Sequence, residues 1–272
     1  MPAPLLQEAN ALLALARNAT AIGGAALAGF IVAGFGPGAA IAFDAATYLA
    51  AAAIVASMRL QLQPRGDARS FVSELGTGWR EFRSRTWLWV IVLQFSLLLA
   101  VDVGAFSVLG PVVADDELGG AKAWGAILTG QGVGLLAGGL IGLRFRPRRM
   151  LLVATSAMLA TPATLVALGF PLALPLIVAA AGLAGAGLEI FVLLWNTTMQ
   201  QEIPAEKLSR VYSYDALGSF ALVPVGLATA GPIAEVIGVR ATLWGAAAIA
   251  VAVTLAVLLV HDVRTLERRP AA

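Results

Sequence analysis

Cysteine is absent from the 272-residue chain, histidine occurs once and lysine twice. Without cysteine no disulfide framework exists. One histidine and no thiol leave no zinc site of the usual composition. Charge is scarce too: 12% of the residues are Asp, Glu, Lys or Arg, about half the share of a soluble domain. No Gly-x-x-x-x-Gly-Lys-Ser/Thr stretch occurs, which excludes ATP hydrolysis by a phosphate-binding loop of that kind. The serines and aspartates of the apolar segments have no histidine partner. No catalytic constellation is therefore expected, and no metal or other cofactor.

Apolar residues fill the space instead. They make up 59% of the chain, and the mean hydropathy is +0.86. A soluble globule of this length cannot hide that much apolar surface in one core. The composition excludes a soluble enzyme, a disordered chain and a nucleic-acid binder. Apolar segments are expected near 12–34, 38–58, 87–113, 124–143, 150–169, 172–195, 211–234 and 239–260. Each is close to or above the ~20 residues that cross hydrocarbon as a helix. Helices pair every backbone polar group internally, as lipid demands. The short alternating segments of a membrane barrel are missing. The expected fold class is an all-α polytopic membrane protein with about eight transmembrane helices. The start of the chain has no basic region ahead of a short apolar run, so no cleaved signal peptide is expected.

The loops set an orientation. Basic residues collect in 59–86 (Arg59, Arg65, Arg69, Arg80, Arg83, Arg85) and after the fourth segment (Arg144, Arg146, Arg148, Arg149). Others follow the sixth segment (Lys207, Arg210) or sit in the tail (Arg264, Arg268, Arg269). The intervening loops hold only Lys122 and Arg240, while Asp115, Asp116 and Glu117 cluster there. Positive charge stays inside, so both termini are expected in the cytoplasm of an inner or plasma membrane. The formal charge of +2 reflects these loops rather than an acidic partner. In the long loop 59–86, Phe71, Leu75, Trp79 and Phe82 recur at helical spacing with arginines beside them. This predicts an amphipathic helix on the cytoplasmic surface.

Gly130, Gly134, Gly138 and Gly142 share one face of the fourth segment and allow another helix to approach closely. Gly182, Gly185 and Gly187 mark the sixth. In the seventh, Gly231 follows Gly218 and Gly226, and Pro224 and Pro232 are expected to break the helix. Such features suit either tight static packing or helices that rock against each other. Three carboxylates lie at membrane depth: Asp102 mid-way along the third segment, Glu189 in the inner half of the sixth and Asp44 in the outer half of the second. Such groups face a bundle interior or an aqueous cavity, because lipid exposure costs several kcal/mol. Glu189 shares a face with Gly182, Gly185 and Asn196. Seven residues of helix offset it from Asp102 by about 10 Å in depth, so direct pairing is not expected. Gln131 and Gln94 read either as substrate contacts or as interhelical hydrogen bonds. Arg17 and Asn18 lie in the inner part of the first segment, where arginine snorkels to the interface. Asp215, near the inner end of the seventh, reads as a partner for Arg210 or another basic loop.

Several stretches carry a family resemblance. They are Leu6-Gln7-Glu8-Ala9-Asn10 with Ala16-Arg17-Asn18, Gly36-Pro37-Gly38 through Asp44 to Leu49, and Ala123-Trp124-Gly125. Gln200-Gln201-Glu202-Ile203-Pro204 with Arg210-Val211-Tyr212-Ser213, and Gly231-Pro232-Ile233-Ala234-Glu235, extend the pattern. In this order and spacing the chain resembles helices five to twelve of a major facilitator superfamily exporter, in the branch typified by the enterobactin exporter and the macrolide efflux pumps. The resemblance implies a twelve-helix fold whose two halves meet through the linker 59–86. It implies alternating access, export of a small amphipathic substrate and exchange for protons. Residues 1–58 would end one half and 87–272 form the other. Two motifs depart from the family pattern: Ala25 stands for a proline and Ala28 for a glycine, and Leu143 stands for an acid and Arg146 for a glycine. Four helices would precede this sequence, as a longer gene product or a partner subunit. A non-transporting remnant is the alternative. The resemblance thus implies a bilayer, a small-molecule substrate and protons as partners. The pathway candidates are Asp102, Glu189, Gln131, Asn196 and Asp44; the packing or gating candidates are the four glycines of the ladder with Gly231 and Pro232.

Overall fold

The structure, a computed structural model, describes residues 3–57, 71–170 and 172–268. The side chains of 71–75 and 77, and of several residues between 3 and 37, fall outside that description. Arg59, Arg65, Arg69, Pro171, Arg269 and the side chains of Phe71, Leu75, Ala25 and Ala28 are therefore outside the described residues.

Every described element is helical. The helices are α1 (Ala3–Phe35), α2 (Pro37–Ser57), α3 (Phe71–Arg83), α4 (Thr86–Leu98), α5 (Gly104–Glu117), α6 (Ala121–Arg144), α7 (Met150–Ala157), α8 (Ala163–Gly169), α9 (Leu174–Glu202), α10 (Ala205–Phe220), α11 (Val223–Ile237), α12 (Val239–Leu258) and α13 (His261–Thr265). Among the described residues, seven segments are long and apolar enough to cross a membrane. They begin at Gly38, Thr86, Ala121, Met150, Leu174, Ala205 and Val239. The first expected segment forms α1, 33 residues long, several of whose side chains are undescribed. The chain is thus an all-α, multi-pass membrane protein.

Turns between antiparallel helices are made by glycine where the backbone enters the left-handed region. Gly36, at φ 82°, joins α1 to α2, and Pro37 fits the first turn of α2, where no amide donor is required. Gly238, at φ 91°, links α11 to α12 in the same way. Ile203 is extended before Pro204 and so ends α9.

Two apolar segments are interrupted. A 3₁₀ turn at Met158–Ala160 precedes Pro162 and divides 150–169 into α7 and α8. The Thr161 amide and hydroxyl both donate to the Met158 carbonyl, at 3.2 and 3.0 Å, which ties the chain across the break. The other break falls between α10 and α11, just before Pro224. Pro232 does not break its helix: α11 runs through it to Ile237. Pro224 sits in a first turn, where the missing N–H has no role, whereas Pro232 removes a single internal bond. Between α4 and α5 the helix widens into a π turn at Leu99–Val103.

Two apolar cores stack along the bundle. One, with Leu88, Ile91, Leu151, Phe191, Leu194 and Met199, lies toward one end; the other holds Leu109, Ile127, Leu165, Ile177 and Leu243. Three buried hydroxyls are satisfied inside their own helices: Thr197, Thr198 and Thr254 each donate to the carbonyl four residues back at 2.8 Å. Gln94, read as a substrate contact or an interhelical bond, is buried and donates to Thr254 of α12 at 3.3 Å. Contacts gather the start of α1, the loop 145–149, the start of α10, α3 and the tail at one end, hereafter the basic end. At the other end Arg240 pairs with Glu117 at 2.9 Å. Helix α2 rests mainly on α1 and exposes every residue from Ile41 to Ser57.

The amphipathic helix α3 docks on α10. Gly78 leaves room for Tyr214, whose ring lies 5.5 Å from Trp79 and 6.0 Å from Phe82. Glu81 accepts from Lys207 at 2.8 Å and from Arg85 at 2.8 Å. The Lys207 bond first, then Arg85, holds the Glu81 carboxyl below the usual carboxylate range. The clamp is therefore complete at any pH above the ordinary glutamate value of about 4.3 and is lost as pH falls through the lower folded value. Hydrogen exchange of the 71–83 amides, corrected for intrinsic rate, should stay slow from pH 7 to about 4.3 and accelerate only below it. Glu81→Gln should accelerate it at neutral pH. Equal protection in the variant would remove Glu81 from the docking.

Candidate functional site

The seam between α6 and α9 positions everything at the basic end. Gly130, Gly134, Gly138 and Gly142 all face α9. A Cβ on Gly130 would lie 2.6 Å from the Val178 carbonyl oxygen, and one on Gly138 2.7 Å from that of Ala186. On Gly134 it would overlap the Gly182 carbonyl outright, and Gly185 is equally tight against the Gln131 carbonyl. The helices meet backbone to backbone, which only glycine permits. Gly231 differs: nothing lies within 4 Å of where its Cβ would be, so the expected packing role is not seen there.

Helix α1 lies across this seam with a stripe of polar and small residues. Gln7, Ala11, Ala14 and Asn18 are buried, at the spacing of one helix face. Gln7 donates to the carbonyls of Gly142, at 2.9 Å, and Phe145. Asn10 donates to Thr197 at 3.1 Å and to Gln200 at 3.0 Å. Asn18 donates to Glu189 at 2.8 Å, and Arg17 approaches the same carboxylate at 3.5 Å. Glu189 is 1% exposed, and these partners keep its charge compensated. Arg17 therefore turns toward an acid across the helix pair rather than snorkelling away. It remains 63% exposed on its other side.

That exposed side opens into a cavity of about 420 Å³ between α1, α4, α9 and α10. Arg17, Phe95, Phe191, Trp195, Asn196 and Asp215 are among its lining residues. Asn196 accepts from the Tyr212 hydroxyl at 3.1 Å and donates to the Val192 carbonyl at 2.8 Å. Glu189 sits one layer behind the wall, joined to it by Arg17. The site therefore brings Glu189 and Asn196 to one locus but leaves the other pathway candidates elsewhere. Asp102 occupies the π turn, half-buried, and engages no hydrogen bond or ion pair among the described residues. Its neighbours Ala100 and Val101 line an apolar groove of about 400 Å³ against α11 and α12. The close approach of Gly226 to the Ala100 carbonyl fits this wide turn. Gln131 is half-buried on α6, without a side-chain partner among the described residues. Asp44 lies exposed on α2.

The basic loop works as a clamp at the end of α1. Arg146 pairs with Glu8, Arg149 approaches Glu267 at 4.0 Å, and the Arg148 carbonyl accepts from the Arg268 amide at 2.7 Å. Arg268 also donates to Gln7 at 2.9 Å, while Arg144 is exposed. Gln7, Asn10, Arg17, Asn18 and Asp215 are site residues that the sequence reading left outside its candidates. The polar spacing along α1 carried the signal for the first four. Nothing local pointed to Asp215 as a wall residue: it accepts from Trp195 at 3.3 Å and Ser219 at 3.4 Å.

With this geometry in hand, comparison with known families is informative. The model of one family, described as transmembrane secretion effector, matches residues 1–271. No curated protein matches the chain.

The seam makes a sharp expectation. Gly134→Ala should destabilise the protein by about 1–3 kcal/mol, the range for overpacked interiors. Gly245→Ala, where a Cβ meets nothing within 4 Å, should leave stability unchanged. Thermal unfolding in detergent, followed by the six tryptophans, separates them. Equal unfolding temperatures would show that α6 and α9 do not meet so closely.

Proposed function

The chain belongs to this transmembrane secretion effector family, of the major facilitator type, and from that premise we propose that it exports small amphipathic molecules by alternating access across an inner or plasma membrane. Family membership supports a transporter of the major facilitator type. The observation that carries the rest is the junction of α1 with α9, where Arg17 and Asn18 meet Glu189 directly behind a cavity wall. A polar contact between helices beside a cavity of ligand size supports a path that opens and closes there. Asp102, without a partner among the described residues, supports proton exchange, since a carboxylate with no fixed counter-ion at membrane depth is suited to taking up and releasing a proton. Its π turn adds weight, because such turns recur at functional sites.

Helix α2 favours a further part of the proposal. It is 21 residues of mostly apolar helix resting on α1, with Asp44 exposed. An exposed acid in an apolar helix calls for a polar neighbour. We assign the chain to helices five to twelve of the fold, with four more helices supplied by a longer product or a partner subunit. The same exposure favours the second reading, a non-transporting membrane subunit that assembles with another chain.

Dye efflux from cells producing these 272 residues tests the proposal. The exporter reading expects less retained dye than in control cells, with Asp102→Asn and Glu189→Gln both abolishing the effect at unchanged membrane levels. Wild-type efflux in both variants would remove the two carboxylates from the path. No efflux from this chain, with a native product about four spans longer by intact mass, would place transport in the longer form.

A further inference from the structure

The cavity beside α1 carries an unbalanced charge. Among the described residues, three formally charged side chains lie at it or directly behind it: Arg17, Glu189 and Asp215. Arg17 and Glu189 face each other at 3.5 Å and offset one another. Asp215 is held by two neutral donors, the Trp195 indole at 3.3 Å and the Ser219 hydroxyl at 3.4 Å. Arg210 does not turn the same way. It lies 140° round an ideal helix from Asp215, and its Cβ is against α3 at Gly78. The Tyr212 hydroxyl is occupied by Asn196. The wall around the carboxylate is aromatic: Phe95 stacks on Phe191 at 5.1 Å and 14°, and Phe191 on Trp195 at 6.3 Å and 6°.

We propose that this cavity binds bulky organic monocations, with Asp215 as counter-ion and the Phe95–Phe191–Trp195 wall as the apolar, π-rich surface against which the cation rests. A carboxylate bonded only to neutral groups retains its attraction for a positive ligand. Phe95, the half-buried ring of the stack, adds to it when a cation comes within about 6 Å of its face. The volume of about 420 Å³ lies in the range of small-molecule sites. An anion of the same size would meet Asp215 with no net positive charge to answer it, since Glu189 behind the wall offsets the charge of Arg17. The inference rests on the transporter reading for its purpose, but the site itself is open to a binding measurement that needs no transport.

Tetraphenylphosphonium and tetraphenylborate have one shape and opposite charge. Their binding to the purified full chain in zwitterionic lipid discs, with protein-free discs as blank, isolates the sign of charge. Replacing Asp215 by Asn keeps the amide oxygen as acceptor for Trp195, and the Ser219 hydroxyl, which accepts as well as donates, takes the amide N–H instead, so the unfolding temperature should change little. Asp215→Asn should weaken the phosphonium by about tenfold, the scale of one lost cation contact, and spare or improve the borate. Asp215→Glu should restore the phosphonium. Unchanged phosphonium affinity in Asp215→Asn, or saturable borate binding tighter than phosphonium in the wild type, would overturn the proposal. Efflux of a neutral dye without phosphonium binding would sink the cation site and leave the exporter standing. Asp215-dependent phosphonium binding without any efflux would do the reverse.

Discussion

The backbone contact between α6 and α9 is the constraint on which the basic end depends. Gly130, Gly134 and Gly138 on α6 and Gly185 on α9 bring two main chains into direct contact over several turns, and Gly142 extends the face against the Leu193 side chain. In lipid there is little hydrophobic gain in bringing two apolar helices together, so close van der Waals fit supplies the attraction. The fit fixes the rotation of α9. It points Glu189 toward α1 and turns Phe191, Trp195 and Asn196 toward the cavity. A side chain at Gly134 would push α9 outward and shift both faces together.

From that fixed rotation the polar contacts of α1 follow. Glu189 is too buried to be hydrated and would be costly alone. Asn18 and Arg17 supply the compensation, one turn and more beyond Ala14, whose small side chain permits the approach. Nearer the basic end, Asn10 with Gln200 and Gln7 with the Gly142 carbonyl extend the same line. The exposed pair of Arg146 and Glu8 adds little energy by itself. Its place matters more, because the loop 145–149 closes over Gln7 and also holds Arg268.

The helical class and the approximate segment limits were legible because lipid leaves few options: long apolar runs must be helices, and charges must sit at their ends. The ladder Gly130–Gly142 was legible as a contact face because a spacing of four keeps its members on one side. The stripe on α1 had the same kind of signal, in Gln7, Asn10, Ala14, Arg17 and Asn18. Arg17 was read as snorkelling because no acid lies within two turns of it on its own helix, while the acid at matching depth lay 172 residues on. The π turn has no signature in Leu-Ala-Val-Asp-Val; it arises where Gly226 presses on the Ala100 carbonyl, a tertiary fit. Asp215 reads as a partner for Arg210 or another basic loop, yet its donors are neutral and come from Trp195, 20 residues away, and from Ser219. Pro162 escaped notice because hydropathy is continuous across 150–169, while Pro232 was given a break that its position inside α11 did not require.

Two kinds of seam therefore meet at one place, and they differ in what separation would cost. Between α6 and α9 the contacts are dispersion between backbones, which lose roughly a quarter to a half of their strength within about an ångström of displacement and gain nothing from water. Between α1 and α9 they are hydrogen bonds and an ion pair, in which Arg17 already keeps one side exposed. Groups of that kind exchange protein partners for water at little net cost when a path to water opens. If this region moves, the α6–α9 pair is the unit that travels whole and α1 is the element that parts from it. The cavity lies on that dividing line, with Arg17 on one side and Asp215 on the other. Parting the seam would unmask Arg17 and Glu189 in turn, so the charge that a bound molecule meets depends on how far α1 has moved.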